Sequence, residues 1–172
     1  MTQNKKNGFS LLGVIIAVFI FSVGLVGISA LANYSIGVAN SSKMSIIAAG
    51  LAQEGIEKIR DIRQMNANWD NWEWYDGTLS GTKYYQVQYD DDEERFNNSK
   101  IDSLDDAIFL RFNLATGIYS YDLVGTEETS YTRTLTLTKR PEGEISVIVE
   151  VKWQDKGKEK SLIAEDRLWN WR

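Results

Sequence analysis

The sequence predicts an α+β fold in which one long N-terminal helix lies against an antiparallel β-sheet. Three observations predict it. From Phe9 to Ala32 there is no charged residue and no proline. From there to Arg63 apolar residues recur at spacings of three and four, again without a proline. Beyond that point, short apolar blocks alternate with period two and are separated by turn residues.

The uncharged run is long enough to cross a bilayer. Twenty-four residues at about 1.5 Å each span roughly 36 Å, against a hydrocarbon core of about 30 Å. Lys5 and Lys6 precede it and no basic cluster follows immediately. That asymmetry predicts a cytoplasmic N-terminus and a single pass, with everything after the run outside. Ala30-Leu31-Ala32 resembles a signal-peptidase site. A cleaved secretory signal, however, has an apolar core of only about 7–15 residues.

Past the run the helical pattern becomes one-sided. Met44, Ala48, Leu51, Gly55, Ile59 and Ile62 form a stripe, while Lys43, Gln53, Glu54, Glu57, Lys58 and Arg60 occupy other faces. One helix of about 55 residues is expected, its first half in lipid or a protein core and its second half under a head. Gly24, Gly27, Gly37, Gly50 and Gly55 are either sites of close approach or places where the helix weakens. The chain therefore divides into a leader 1–8, a membrane or filament-core helix 9–32, its amphipathic continuation 33–65, and a β head 66–172.

Within the head, the strand signals come in order. Tyr84 to Tyr89 is the first. Ile108 to Asn113 and Ile118 to Leu123 flank Ala115-Thr116-Gly117 and read as a hairpin. Leu135 and Leu137 alternate with Thr134, Thr136 and Thr138. Ile145, Val147, Val149, Val151 and Trp153 form a period-two face, then comes a turn at Asp155-Lys156-Gly157-Lys158, and a last strand runs from Ser161 to about Trp169. About five to seven antiparallel strands are expected, covered by the Met44 to Ile62 stripe.

Composition excludes several functions. The 172 residues contain no cysteine and no histidine. Disulfides, thiolate metal sites and Ser-His-Asp or Cys-His catalysis are thereby ruled out. The formal charge of −5 argues against nucleic-acid binding over the whole surface. No carboxylate, lysine or tyrosine constellation points to an enzyme, and no cofactor is implied.

The junction between leader and apolar run carries the most specific signal. Gly8-Phe9-Ser10-Leu11-Leu12, inside NKKNGFSLLGVIIAVFIF, resembles the processing site of the type IV pilin-like family. The resemblance implies a pilin-like fold and a prepilin peptidase that cuts after Gly8 and methylates the new N-terminal Phe9. It also implies that other pilin subunits and an assembly platform are partners. The subunit would begin in the cytoplasmic membrane and end in an extracellular or periplasmic filament. LAQEGIEKIRDIRQ, followed by Asn66, Asn68 and Trp69, is similar to the V-type minor subunits of pilus assembly. One position departs from the family. The fifth residue after the cut is normally a glutamate that meets a neighbour's N-terminal amine, and here it is Gly13. In the family such a loss occurs in tip or initiating minor subunits; a degenerate or engineered position is the other reading.

Three further features have weaker signals. Asp90, Asp91 and Asp92, continued by Glu93 and Glu94, offer hard oxygen ligands but lack the spacing and glycine of a calcium loop, so a solvated loop is the simpler reading. Trp69, Trp72, Trp74 and Tyr75 read as core anchors rather than a ligand platform. Trp169 and Trp171 read as ties for the last strand, and Lys156, Lys158 and Lys160 as a solubilised turn. Two classes of function remain: a minor pilin or pseudopilin, and a signal-anchored ectodomain that binds a ligand or catalyses without polymerising. The mature N-terminus distinguishes them.

Overall fold

The computed structural model describes residues 11–65, 81–88, 99–140 and 144–169. It falls into two units, residues 1–42 and 43–172. A helix, α1 (Leu11–Met65), is continuous through its 55 residues. The other elements are β1 (Thr82–Tyr85), β2 (Lys100–Ile101), a 3₁₀ turn at Leu104–Asp106, β3 (Phe109–Asn113), β4 (Tyr119–Ser120), β5 (Thr126–Lys139), β6 (Ile145–Asp155) and β7 (Lys158–Leu168). The architecture is the expected α+β one, a long apolar helix with an antiparallel sheet.

In the first unit the helix turns apolar side chains outward on every side. Leu12, Ile16, Phe19, Val23, Val26 and Leu31 are all exposed. Such a surface is not tolerated in water and calls for lipid or protein around it. α1 is long and apolar enough to cross a membrane.

In the second unit, Ala48, Leu51, Ala52, Ile59 and Ile62 of α1 are buried against the sheet. Every strand pairing is antiparallel, and β5 is the hub. One edge of β5 carries β6 and then β7. Its other edge is shared by β1, along residues 135–138, and by β3, along residues 126–132, and these carry β2 and β4 in turn. Between β1 and β3 the sheet is stitched by side chains. Gln86 Nε2 donates to the Ile108 carbonyl, the Tyr121 amide donates to Gln88 Oε1, and Tyr121 Oη donates to the Arg133 carbonyl.

The period-two reading holds on the helix-facing side. Tyr131, Leu135 and Leu137 of β5 stand beside Trp153, Val149 and Val147 of β6, and all are buried. The β6–β7 turn is a two-residue loop with Lys156 at φ 53° and Gly157 at φ 75°. Both central residues are left-handed, as a type I′ hairpin requires.

The strand limits differ from expectation at β7, which begins at Lys158 directly after the two-residue turn rather than at Ser161, and in three further places. The first strand ends at Tyr85, although the Gln86 amide still donates to the Ser99 carbonyl. β4 contains only Tyr119 and Ser120, because the following residues must cross back to start β5 opposite Asn113; Thr126 Oγ1 donates to the Asp122 carbonyl and closes that crossing. β5 begins at Thr126, well before Leu135, since its first half is held by backbone pairing with β3 and carries polar side chains.

Candidate processing segment and the mount of the head

Lys5, Lys6, Gly8 and Phe9 lie outside the described residues, as do Asp90, Asp91, Asp92, Trp69, Trp72, Trp74, Tyr75 and Trp171. Gly13 is described and sits in the first turns of α1, exposed, with nothing within 4 Å of where a Cβ would be. The first turn has no acidic residue, and no charged side chain occurs between Lys6 and Lys43. Ser22 satisfies its hydroxyl by donating to the Val18 carbonyl within the helix. This segment therefore offers a neighbour apolar surface and no counter-charge.

The other end of α1 is mounted on the sheet through one small residue and one buried cation. Gly55 lies close against the sheet: a Cβ there would lie 3.0 and 3.2 Å from the two methyls of Val149 and 3.6 Å from Arg133 Cδ. Of the two readings for this glycine, close approach is the observed one. Arg133 is 2% exposed, and its Nη1 donates to the Leu51 carbonyl at 3.1 Å and to Glu54 Oε1 at 3.0 Å. Its Nη2 donates to the Val87 carbonyl. The guanidinium thus ties one turn of the helix to the segment after β1, with a carboxylate as counter-charge.

Further ties follow along the helix. Tyr131 Oη donates to the Met44 carbonyl at 3.3 Å, Arg60 pairs with Asp166 at 2.9 Å, and Arg63 donates to the Trp169 carbonyl at 2.7 Å. The bond to Asp166 holds the Arg60 pKa above its ordinary value. Trp169 is 47% exposed, and the described tie is made by its backbone carbonyl. Phe112, Tyr119, Tyr131 and Trp153 form a row with ring centroids 4.9, 6.2 and 6.4 Å apart. Burial raises the pKa of both tyrosines.

Arg133, Ala52 and Tyr131 are absent from the candidate residues read from the sequence. Arg133 does leave a trace there. It occupies an inward position in the alternation Tyr131, Arg133, Leu135, Leu137, where a charge demands a buried partner.

Residues 3–29 match the family model of the prokaryotic N-terminal methylation motif. That motif is the prepilin signal of the type IV pilin family, so the chain carries a prepilin-type N-terminus ahead of a pilin-like helix and sheet. The match spans Lys5, Lys6, Gly8, Phe9 and Gly13 and ends within α1, leaving the head outside it. No curated protein and no solved structure matches the chain.

Proposed function

We propose that this protein is a minor subunit of a type IV pilus-like filament, cut after Gly8, methylated at Phe9, and placed at a filament end as cap or initiator. Gly13 carries the reading. A charged N-terminal amine packed among apolar helices needs a carboxylate, and α1 supplies none before the head. Burying that charge unpaired costs on the order of several kcal/mol. A major subunit would incur that cost in every copy, whereas a terminal subunit has one side without a neighbour. The segment from Leu11 onward, exposed and apolar all round, suits both lipid before assembly and a helical core after it.

The test is stoichiometry. Quantitative mass spectrometry of purified filaments, following peptides from Thr134 to Lys152, is expected to find this chain as a small fraction of total subunits. Dominance of the chain would overturn the minor-subunit reading. An intact Met1 in the mature protein would favour the non-polymerising ectodomain instead.

A further inference from the structure

One end of the sheet carries exposed aliphatic side chains at the tips of two adjacent loops. Leu114 and Ile118 flank the β3–β4 turn, and Leu123 and Val124 lie in the crossing to β5, the last two 77% and 88% exposed. The Asn113–Thr126 pair brings the two loops together. Arg111 holds them there, donating to Thr126 Oγ1 at 2.9 Å and to the Thr126 carbonyl at 3.1 Å. From Ala107 to Gly125 the only charged residues are Arg111 and Asp122, in a chain where a quarter of residues are charged.

This end of the sheet is also where the chain arrives from the apolar segment. Tyr131 meets the Met44 carbonyl, and successive helix residues then pack progressively away from that point, Leu51 at Arg133, Gly55 at Val149 and Arg60 at Asp166. β5 runs the opposite way, from Tyr131 back to Thr126, about 17 Å of strand at 3.4 Å per residue. Only residues 33–43 separate Ala32 from Met44. They span roughly 18 Å as helix and no more than about 40 Å at full extension. Whatever the course of that connection, an anchored chain keeps this end of the head within reach of the bilayer surface.

We propose that the loops 114–118 and 122–125 dock on the lipid surface and seat the head against the membrane before assembly. The inference rests on the anchored reading of α1. The β6–β7 turn lies at the same end, bringing Lys156 and Lys158, whose long side chains can keep their ammonium groups among headgroups. Asp122, Glu127 and Glu159 lie there too, and Glu128 is paired with Arg111. The charges nearly balance, so the contact depends on the aliphatic tips and changes little with salt or with the fraction of anionic lipid.

The absence of cysteine makes the test clean. Single cysteines at Val124, Leu114 and Arg140, the last at the opposite end of the sheet, are labelled with an environment-sensitive fluorophore. The full chain is then reconstituted in phosphatidylcholine vesicles containing spin-labelled lipid. Quenching several-fold stronger at positions 124 and 114 than at 140 is expected. It should fall at 114 when Leu123→Ser and Val124→Ser are added, two exposed changes that leave the core untouched. Equal quenching at 124 and 140, or none at 124 in a chain that resists carbonate extraction, overturns the inference and leaves the anchor intact. Shielding of 124 that appears only when other filament subunits are added assigns the loops to a neighbouring subunit and also overturns it. A chain released by carbonate overturns both readings.

Discussion

Replacing Gly55 with alanine tests the mount of the helix on the sheet. In an open helix position this change gains about 1 kcal/mol from backbone propensity alone. At residue 55 the new Cβ would sit 3.0 Å from one Val149 methyl and 3.2 Å from the other. Favourable carbon–carbon contact lies at about 3.5–4.0 Å, so something must move by several tenths of an ångström. Val149 is fully buried and its strand is paired on both sides, by Leu135 and by Ala164. The helix must lift instead, and lifting it pulls the Leu51 carbonyl and Glu54 away from Arg133. Overpacking of this kind costs about 1–3 kcal/mol. The net change for Gly55→Ala is then between about zero and 2 kcal/mol of destabilisation. Gly50 is the internal control: it is exposed, nothing lies within 4 Å of its Cβ position, and Gly50→Ala should stabilise by close to 1 kcal/mol. Thermal unfolding of the full chain in detergent, followed by tryptophan fluorescence, should separate the two midpoints by several degrees. Adding Val149→Ala should recover part of the Gly55→Ala loss, because the two changes share one contact. A Gly55→Ala midpoint raised as far as that of Gly50→Ala would refute the close-approach argument.

Three other outcomes are expected. Arg133→Met keeps most of the apolar stem but removes the donors to Leu51 and Val87 and the cation opposite Glu54, so it should lower stability by about 2–4 kcal/mol; an unchanged urea midpoint would contradict the role given to the guanidinium. Burial raises the Tyr119 and Tyr131 hydroxyls above their ordinary pKa of 10.0. Their contribution is therefore complete below about pH 10 and is lost as pH rises through the folded-state values. The melting temperature should fall in that alkaline window, and the Tyr119→Phe, Tyr131→Phe double variant should flatten the fall while costing about 1 kcal/mol at neutral pH for the bond to Met44. A bulky residue at Gly8 should leave full-length precursor in the membrane fraction on an immunoblot, since a protease must hold the residue before the cut in extended form; normal size reduction would refute the assigned cut.

What was legible in the sequence follows from periodicity. A stripe at spacings of three and four needs only one register to be correct, and Ala48, Leu51, Gly55, Ile59 and Ile62 all proved buried. The alternation from Ile145 to Trp153 located β6 because a half-buried strand has one solution for its inward face. β2 is two residues long and β4 is two residues long, too short to carry any period. The first half of β5, Thr126 to Ser130, is polar and makes sense only once β3 is beside it. Long-range backbone pairing leaves no local pattern to read.

The mount of the head was hidden for a related reason. Gly55 lies in the apolar stripe and Arg133 at an inward position of its strand, but neither residue read separately names the other as its neighbour. Together they form one device. The missing side chain at Gly55 lets the helix lie against Val149, the neighbouring Arg133 bonds the Leu51 carbonyl and Glu54 of the same helix, and the buried charge is tolerable only because that carboxylate is there. Helix and strand positions 79 residues apart must therefore agree for either to be stable. The N-terminal segment is the opposite case, because everything that marks it is contiguous: two lysines, a glycine, a phenylalanine and an uncharged helix. Its specificity lies in the order of residues along the chain, which is what a peptidase and a membrane both read. The head's specificity lies in contacts that exist only after folding, so the part of this protein most open to sequence reading is the part whose signal is complete before the chain folds.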